Sequence, residues 1–115
     1  MSNDCIFCKI VAGEIPSTPV AQSETAYAFA DLAPQAPVHV LVIPKQHIAS
    51  ADHFTADHAG VMDHLILLAQ EVAEVEGIRE GGYRLIINVG ADAGMTVPHL
   101  HLHVMGGRRF EWPAG

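Results

Sequence analysis

Three histidines alternate with aliphatic residues near the end of the chain, where residues 99–104 read His-Leu-His-Leu-His-Val. Successive side chains of a β-strand point to opposite faces, so this spacing predicts a strand with one imidazole face and one core face. At about 3.3 Å of rise per residue the first and third imidazoles start about 13 Å apart, too far for one metal ion with bonds of about 2 Å. At least one imidazole is then predicted to act as nucleophile, base or acid near pH 7. The alternative is an amphipathic strand with solvated histidines.

The bulk composition limits the partners of the chain. Its 115 residues fit one domain, taken as residues 1–115, and half of them are hydrophobic, as in globular proteins. The net charge of −7 repels a phosphate backbone, so no nucleic-acid partner is expected. The start of the chain has no basic segment followed by an apolar run, and no apolar stretch approaches the length of a membrane span. We therefore expect a cytoplasmic protein with no membrane partner.

Cys5 and Cys8 form a Cys-x-x-Cys pair near the start of the chain. The pair alone fits zinc binding, thiol redox chemistry or coincidence. Redox use usually comes with a thioredoxin-like βαβ unit, which the following residues do not offer. In a cytoplasmic protein the two cysteines are better interpreted as thiols or metal ligands than as a disulfide.

Two helices are predicted to position these residues. A short helix is predicted over residues 7–12, because Gly13 is a stop signal. Apolar residues at helical spacing predict one long helix over residues 55–76, wide enough in its apolar stripe to cover a sheet. Thr55 is its predicted N-cap and Gly77 its predicted C-cap.

Short β-branched or alternating runs predict the strands of that sheet. They lie at residues 19–23 and 26–30, at Val38–Pro44, and at residues 83–89. The segment 31–37 contains two prolines, which block both a helix and a ladder, so it is predicted to be a loop.

Several polar residues lie in or after these strands, and two of them, His39 and Asp31, have two interpretations. A lone histidine in an apolar strand, such as His39, is more often a satisfied core residue than a catalyst. Asp31 is the only charge of its loop and equally fits a turn-forming aspartate. His47 follows the buried strand, where ligands often bind. The histidines in or near the long helix are interpreted as surface residues: His53, His58 and His64.

The histidine row matches the His-φ-His-φ-His-φ-φ signature, with φ hydrophobic, of the histidine triad (HIT) superfamily. Most of the chain resembles its Hint branch, the purine nucleoside phosphoramidases, at residues 5–10, 29–39 and 41–47, at Asn88 and in the Gly-Gly-Arg…Trp-Pro tail. The resemblance implies an α+β, HIT-like fold, an antiparallel sheet of about five strands with one long and one short helix. It also implies that the sheet continues into a partner's sheet in a homodimer, and the tryptophan of the tail suggests such a partner surface.

The resemblance further implies a role for each residue of an active site. His101 would be the nucleophile that attacks the α-phosphorus, His103 would hold and polarise phosphate oxygens, and His39 would support the nucleophile and proton transfer. Asp31 would accept hydrogen bonds from ribose hydroxyls. The other substrate contacts would be Asn88, Gly94 and Thr96 at the phosphate, and Ile6, Phe7, Phe29 and Leu32 at the base.

Zinc-bearing members of the family use two cysteines and two histidines, which correspond here to Cys5, Cys8, His47 and His99. The resemblance therefore implies a structural zinc, and it divides the histidine row between a metal and a phosphate. Thr96 stands where Hint proteins often have serine, and it keeps the hydroxyl. Pro98 stands where an aromatic residue is common, and because proline lacks an N–H, an edge position or a slightly altered backbone is expected there.

The resemblance therefore implies a hydrolase that cleaves the P–N bond of purine nucleoside 5′-phosphoramidates. A neutral imidazole would displace the amine and form a nucleotidyl-histidine, which water then cleaves. Two alternatives stay open: a dinucleoside polyphosphate hydrolase of the Fhit type, against which the Hint-like tail argues, and a non-enzymatic nucleotide-binding or zinc-stabilised interaction module. The expected partners are an AMP-like purine nucleotide and a second copy of the chain.

Overall fold

A five-stranded antiparallel sheet forms the centre of the computed structural model, which describes residues 4–115. The strands lie in the order β1-β2-β3-β5-β4, so β3 and β5 occupy the middle and β4 forms one edge. Their bounds are β1 Pro19–Gln22, β2 Ala26–Ala30, β3 Val38–Pro44, β4 Tyr83–Ile87 and β5 Leu102–Gly106. The predicted α+β fold is confirmed, with one long and one short helix against this sheet.

The long helix, α2 at Val61–Val75, covers one face of the sheet. Leu65, Leu68 and Val72 repeat at helical spacing and are buried in the main core. Full burial of each such side chain stabilises the fold by about 1.5–3 kcal/mol. After the helix, Gly77 has a φ of 72°, the left-handed conformation that commonly ends a helix. Within residues 4–115, no helix is long and apolar enough to cross a membrane.

The prediction of a helix over residues 55–76 is wrong at its N-terminal end. The residues before α2 form two separate 3-10 turns, Ala51–His53 and Ala56–His58. Thr55 caps the second turn and not the helix. The break occurs because Gly60 has a left-handed conformation, with a φ of 91°, through which an α-helix does not continue.

The histidine row is also less regular than predicted. β5 begins only at Leu102, so His103 alone of the three histidines lies within a strand. Before β5, the Leu100 N–H donates to the Ile48 carbonyl at 2.7 Å, and Pro98 lies in an exposed bend outside the ladder. The division into two faces holds nevertheless, because the apolar residues of the row all belong to the core under α2: Leu100, Leu102 and Val104.

The opposite face of the sheet carries the short helix α1, Ile6–Val11. Phe7 of this helix packs against Phe29, Leu41 and Ile43 in a second, smaller apolar cluster. The rings of Phe7 and Phe29 meet edge to face with 5.5 Å between centroids. Helix α1 covers this face only partly, and the open part is where His101 and His103 lie.

Candidate active site

A pocket of about 250 Å³ lies between helix α1, the sheet and the loop before β5. His101 and His103 form part of its wall. No lysine or arginine of residues 4–115 lines it, so an anion in the pocket has to be held by neutral N–H and O–H donors. All eight residues predicted to bind substrate line this pocket: Ile6, Phe7, Phe29, Asp31, Leu32, Asn88, Gly94 and Thr96.

A backbone carbonyl fixes the orientation of His101. The ring is buried, and its Nδ1 lies 2.7 Å from the carbonyl oxygen of His99. Since a carbonyl oxygen can only accept a hydrogen bond, we infer that Nδ1 carries the proton and Nε2 keeps its lone pair. Phe7 packs edge-on against this ring at 5.2 Å between centroids. His101 therefore holds one unprotonated nitrogen in the wall of the pocket.

His39 lies behind His103, on the neighbouring strand β3, and is itself buried. Its Nδ1 accepts a hydrogen bond from the backbone N–H of Gln35 at 3.0 Å, so the neutral ring carries its proton on Nε2. That nitrogen lies 2.9 Å from Nδ1 of His103 and 3.4 Å from the carboxylate of Asp31. His39 thus donates to His103, whose own proton is on Nε2.

His103 Nε2 is the single buried side-chain nitrogen or oxygen in residues 4–115 without a hydrogen-bond partner. Leaving a buried donor unpaired costs about 1–3 kcal/mol, so this atom marks a position where a ligand would supply an acceptor. Burial, together with the charges of His101 and His39, lowers the pKa of His103 to about 4, although Asp31 acts in the opposite direction. The ring is therefore a neutral donor at pH 7.

A second group of side chains meets on the far side of Phe7. The His99 Nδ1 atom lies 3.2 Å from Cys5 Sγ, 3.5 Å from Cys8 Sγ and 3.2 Å from His47 Nδ1. A tetrahedral zinc with bonds of about 2.3 Å to sulfur and about 2.0 Å to nitrogen sets sulfur and nitrogen ligands about 3.5 Å apart and two nitrogens about 3.3 Å apart. Within residues 4–115 the four ligand atoms all lie within 4.8 Å of one another, so this metal-type cluster of Cys5, Cys8, His47 and His99 fits zinc.

Hydrogen bonds prepare the ligands of the metal-type cluster. His99 Nε2 donates to the Pro44 carbonyl at 3.0 Å, which leaves the Nδ1 lone pair facing the cysteines, as is usual for metal-binding histidines. Burial lowers the pKa of His99, which keeps the ring neutral. Burial and the neighbouring Cys5 raise the pKa of the Cys8 thiol to about 11. A bound cation would reverse that shift, because a coordinating thiol is deprotonated outright.

Phe7 stands between the metal-type cluster and the pocket. Its ring packs edge-on against His99 at 5.8 Å and against His101 at 5.2 Å between centroids. Helix α1 and its N-cap residue Cys5 therefore contribute to both groups, since Cys5 and Cys8 belong to the cluster while Phe7 lines the pocket. A ligand that fixes the cysteines also fixes one wall of the pocket.

The remaining predicted positions differ in how they are used. Gly94 lines the pocket, but its N–H donates to the Ala91 carbonyl at 3.0 Å, so it shapes the loop without offering a free donor. Its φ of 87° is one that residues with a side chain rarely adopt. Of the predicted surface histidines, His53 and His64 are exposed, while His58 is partly buried and caps its own turn.

Sequence reasoning missed two kinds of residue at the site. Leu41 lines the pocket, and it could have been found because it lies two residues after His39 in one strand and so shares its face. The backbone N–H of Gln35 was missed because a peptide group carries no sequence signature. The same holds for the Pro44 and His99 carbonyls that orient two of the histidines.

The sheet is antiparallel, and two histidines of the row at residues 99–103 line a pocket beside a short helix. This is the arrangement expected for a histidine triad protein. The family model for the HIT domain matches residues 12–110. The chain belongs to the HIT family.

Relatives and solved structures agree with this membership along nearly the whole chain. A HIT-like protein of Synechococcus elongatus is 50% identical over 115 residues, covering 100% of both chains. The purine nucleoside phosphoramidase of Escherichia coli K12 is 44% identical over 108 residues, covering 94% of this chain and 91% of its own. A HIT family hydrolase from Clostridium thermocellum superposes with a TM-score of 0.96 at 44% identity, covering 99% of each chain.

Proposed function

We propose that the protein is a nucleotide hydrolase that cleaves the P–N bond of purine nucleoside 5′-phosphoramidates. The observation that carries the proposal is the pairing of His101, with a free lone pair on Nε2, and His103, with an unpartnered N–H on Nε2, in the wall of one pocket. A nucleophilic nitrogen beside a neutral donor suits attack on a phosphorus whose oxygens need hydrogen bonds. The name of the Escherichia coli relative supports the same reaction class.

The reaction would proceed in two displacements at the α-phosphorus. Nε2 of His101 forms a bond to phosphorus as the P–N bond to the amine breaks, and the leaving nitrogen takes up a proton from solvent. The Nδ1–H of His101 stays on the His99 carbonyl, which stabilises the positive charge that develops on the ring. Water then attacks phosphorus, loses a proton and displaces His101, which releases the nucleoside monophosphate.

The remaining pocket residues are assigned to the substrate by their chemistry. Asn88 and Thr96 line the pocket, and their side chains have no hydrogen-bond partner among residues 4–115, so both are free to donate to phosphate oxygens. Asp31 accepts from the Ala33 N–H with one carboxylate oxygen and suits ribose hydroxyls at the pocket rim. The apolar walls fit a purine base: Ile6, Phe7, Phe29 and Leu32.

The metal-type cluster is assigned to a structural zinc. Two thiolates and two imidazoles form a closed ligand set that leaves no open position for substrate. When bound, the zinc would hold the N-terminal end of α1 to His99 and His47. The chemistry of the pocket would then be left to the histidines on the other side of Phe7.

The chain is further proposed to form a homodimer whose sheet continues across the edge strand β4. This strand presents unpaired backbone groups at the edge of the sheet, and Leu85 within it is exposed. Trp112 is 84% exposed, which is unusual for a large apolar side chain and fits coverage by a second copy. Light scattering at micromolar concentration should give twice the mass of the 12.3 kDa chain, and a monomer would refute this assignment.

Turnover assays with two substrates test the proposed function. Adenosine 5′-phosphoramidate should be hydrolysed to AMP much faster than diadenosine polyphosphates, and mass spectrometry of quenched enzyme should find AMP attached to the peptide that contains His101. Faster cleavage of diadenosine polyphosphates would favour the Fhit-type reaction. AMP binding without turnover of either substrate would favour a binding module.

A further inference from the structure

The backbone of Gln35, in the loop between β2 and β3, connects the C-terminal tail to the pocket histidines. The backbone N–H of Gln35 donates to His39 Nδ1 at 3.0 Å, and its carbonyl accepts from the guanidinium of Arg108 at 3.1 Å. The Gln35 side chain donates to the Ala33 carbonyl at 3.0 Å. The N–H and the carbonyl of Gln35 belong to the two peptide groups on either side of its Cα atom. Both are therefore engaged, the N–H toward the site and the carbonyl toward the tail.

Arg108 is itself held on three sides. Besides the Gln35 carbonyl, its guanidinium donates to the Arg109 carbonyl at 3.2 Å, and it stacks over the Phe110 ring at 4.2 Å from the centroid. Loop and tail are also packed closely at Gly107, where a Cβ atom would come within 2.8 Å of Pro37. The tail thus fixes the position of the Gln35 backbone.

A donor placed against His39 Nδ1 permits only one arrangement of protons beyond it. The ring has to keep a lone pair on Nδ1, so its proton is on Nε2 and points to His103 Nδ1 at 2.9 Å. That nitrogen then accepts, and the proton of His103 is on its unpartnered Nε2. An imidazolium at position 39 would set two N–H groups against each other.

We propose that the Gln35 backbone, held at its carbonyl by Arg108, uses its N–H to fix the tautomers of His39 and His103, so that an N–H of His103 and not a lone pair meets the substrate phosphate. The inference rests on the proposed function for the identity of that ligand. In the opposite tautomer His103 would turn a lone pair toward an anionic oxygen, which is repulsive. Gln35 and Arg108 are therefore positioning residues that act through His39 and His103.

The same constraint separates the two clusters of possible metal ligands. Asp31, His39 and His103 also bring ligand atoms within 4.8 Å of one another. With the Gln35 N–H on Nδ1, however, His39 Nε2 is protonated and cannot ligate a cation. The Gln35 N–H thus keeps these residues in a hydrogen-bonding arrangement that does not bind a metal ion.

Imidazole nitrogen spectra of the zinc-loaded protein provide a test that does not depend on turnover. Long-range ¹H–¹⁵N correlation spectra at pH 7.5 should show protonated Nε2 and unprotonated Nδ1 for both His39 and His103. Q35P removes the backbone N–H, whereas Q35A keeps it and serves as the matched control. In Q35P the His39 tautomer should change or become mixed, and in Q35A it should stay as in the unmodified protein. A protonated His39 Nδ1 in the unmodified protein would overturn the proposal whatever the substrate.

Kinetics with adenosine 5′-phosphoramidate give the second readout. Q35P should lower kcat at least about tenfold, less than the roughly 10²–10³-fold cost of deleting a donor outright, with KM changed about twofold or less. Q35A should stay within about twofold of the unmodified kcat. Equal kcat values for Q35P and Q35A, with unchanged spectra, would refute the proposal.

Arg108 variants keep the test decisive if Q35P does not fold. R108A should lower kcat about threefold to tenfold, which corresponds to the roughly 1 kcal/mol of one hydrogen bond, and should give mixed His39 tautomers. R108K should recover part of both effects, while R109A, at the neighbouring exposed arginine, should change neither. Unchanged tautomers in R108A would show that the tail does not position the Gln35 N–H, which would refute the role proposed for Arg108.

Discussion

The metal-type cluster and the pocket both contain imidazole side chains, but different backbone hydrogen-bond partners give these rings different roles. The Pro44 carbonyl takes the Nε2 proton of His99, so a lone pair on Nδ1 faces the thiols. The His99 carbonyl takes the Nδ1 proton of His101, so a lone pair on Nε2 lies in the pocket wall. At His39 the partner is a peptide N–H, and the result is a chain of donors that ends at His103. A carbonyl partner thus makes a ligand or nucleophile, and an N–H partner makes a hydrogen-bond donor.

The two groups also share one residue and one ring. His99 gives its side chain to the metal-type cluster and its carbonyl to His101, and Phe7 contacts both. The two groups have different chemistry, but a displacement of His99 or Phe7 would affect both of them. The comparison therefore predicts that variants in the pocket change turnover first, and that variants in the cluster change stability first.

The largest expected effect is that of H101A on turnover. Removal of the nucleophilic nitrogen should lower kcat for adenosine 5′-phosphoramidate by at least about 10³-fold, with an unchanged melting temperature and zinc content. H53A, at an exposed histidine outside both groups, is the control and should retain full activity. Turnover of H101A within about tenfold of the unmodified protein would show that another group attacks phosphorus.

Loss of the zinc should have the opposite pattern. C8S, or treatment with a strong chelator, should remove about one zinc per chain and lower the free energy of unfolding by at least about 2.7 kcal/mol, the linkage expected at a hundredfold excess of metal over Kd. KM should rise more than kcat falls, because α1 forms a pocket wall. The measurements are metal analysis, thermal unfolding and steady-state kinetics. A metal-free protein with an unchanged melting temperature in chelator would break the comparison.

A smaller effect is expected from W112A, which tests whether the tail of one protomer contributes to the pocket of its partner. If the exposed tail reaches the partner's site, the variant should change the ratio of kcat/KM between two leaving amines about threefold to tenfold, as an interface aromatic contributes about 1 kcal/mol or more. AMP affinity and melting temperature should change little. Unchanged discrimination between the amines would confine the tail to a role within its own chain.

The smallest effect concerns pH. Burial lowers the pKa of His103 to about 4, so between pH 6.5 and pH 4 the unfolded chain binds a proton that the native ring does not. Stability should therefore fall as pH falls through this window, on the order of 1 kcal/mol after allowance for partial exposure of the ring. Denaturant titrations of the unmodified protein and H103N should show that their difference in stability changes between pH 7 and pH 4.5. A constant difference would mean that His103 titrates alike in both states.

The sequence alone predicted the secondary structure well where one residue pattern dominated. Residues 26–30 and Val38–Pro44 form the predicted strands, because aromatic residues in the first and β-branched residues in the second favour a pleated, buried segment. The helix start was misplaced because Thr55 is a good cap in any context, and only the conformation of Gly60 decided which turn it caps. The histidine spacing predicts a single strand, and this is wrong at its start, because the backbone N–H groups of His99 and Leu100 bond outside the sheet.

The chemical inventory was determined by the sequence, because residue types and spacing fix which side chains can ligate, attack or donate. The resemblance to the HIT superfamily assigned the thiols, the imidazoles and the apolar pocket residues to two groups. The members of each group lie close together in the structure, while their catalytic roles remain predictions. Only the tertiary structure decided which nitrogen of each ring is free. That choice depends on backbone carbonyl and N–H groups, some distant in sequence, as Pro44 is from His99, and some near, as His99 is to His101. These groups are identical in every residue except proline, which lacks the N–H.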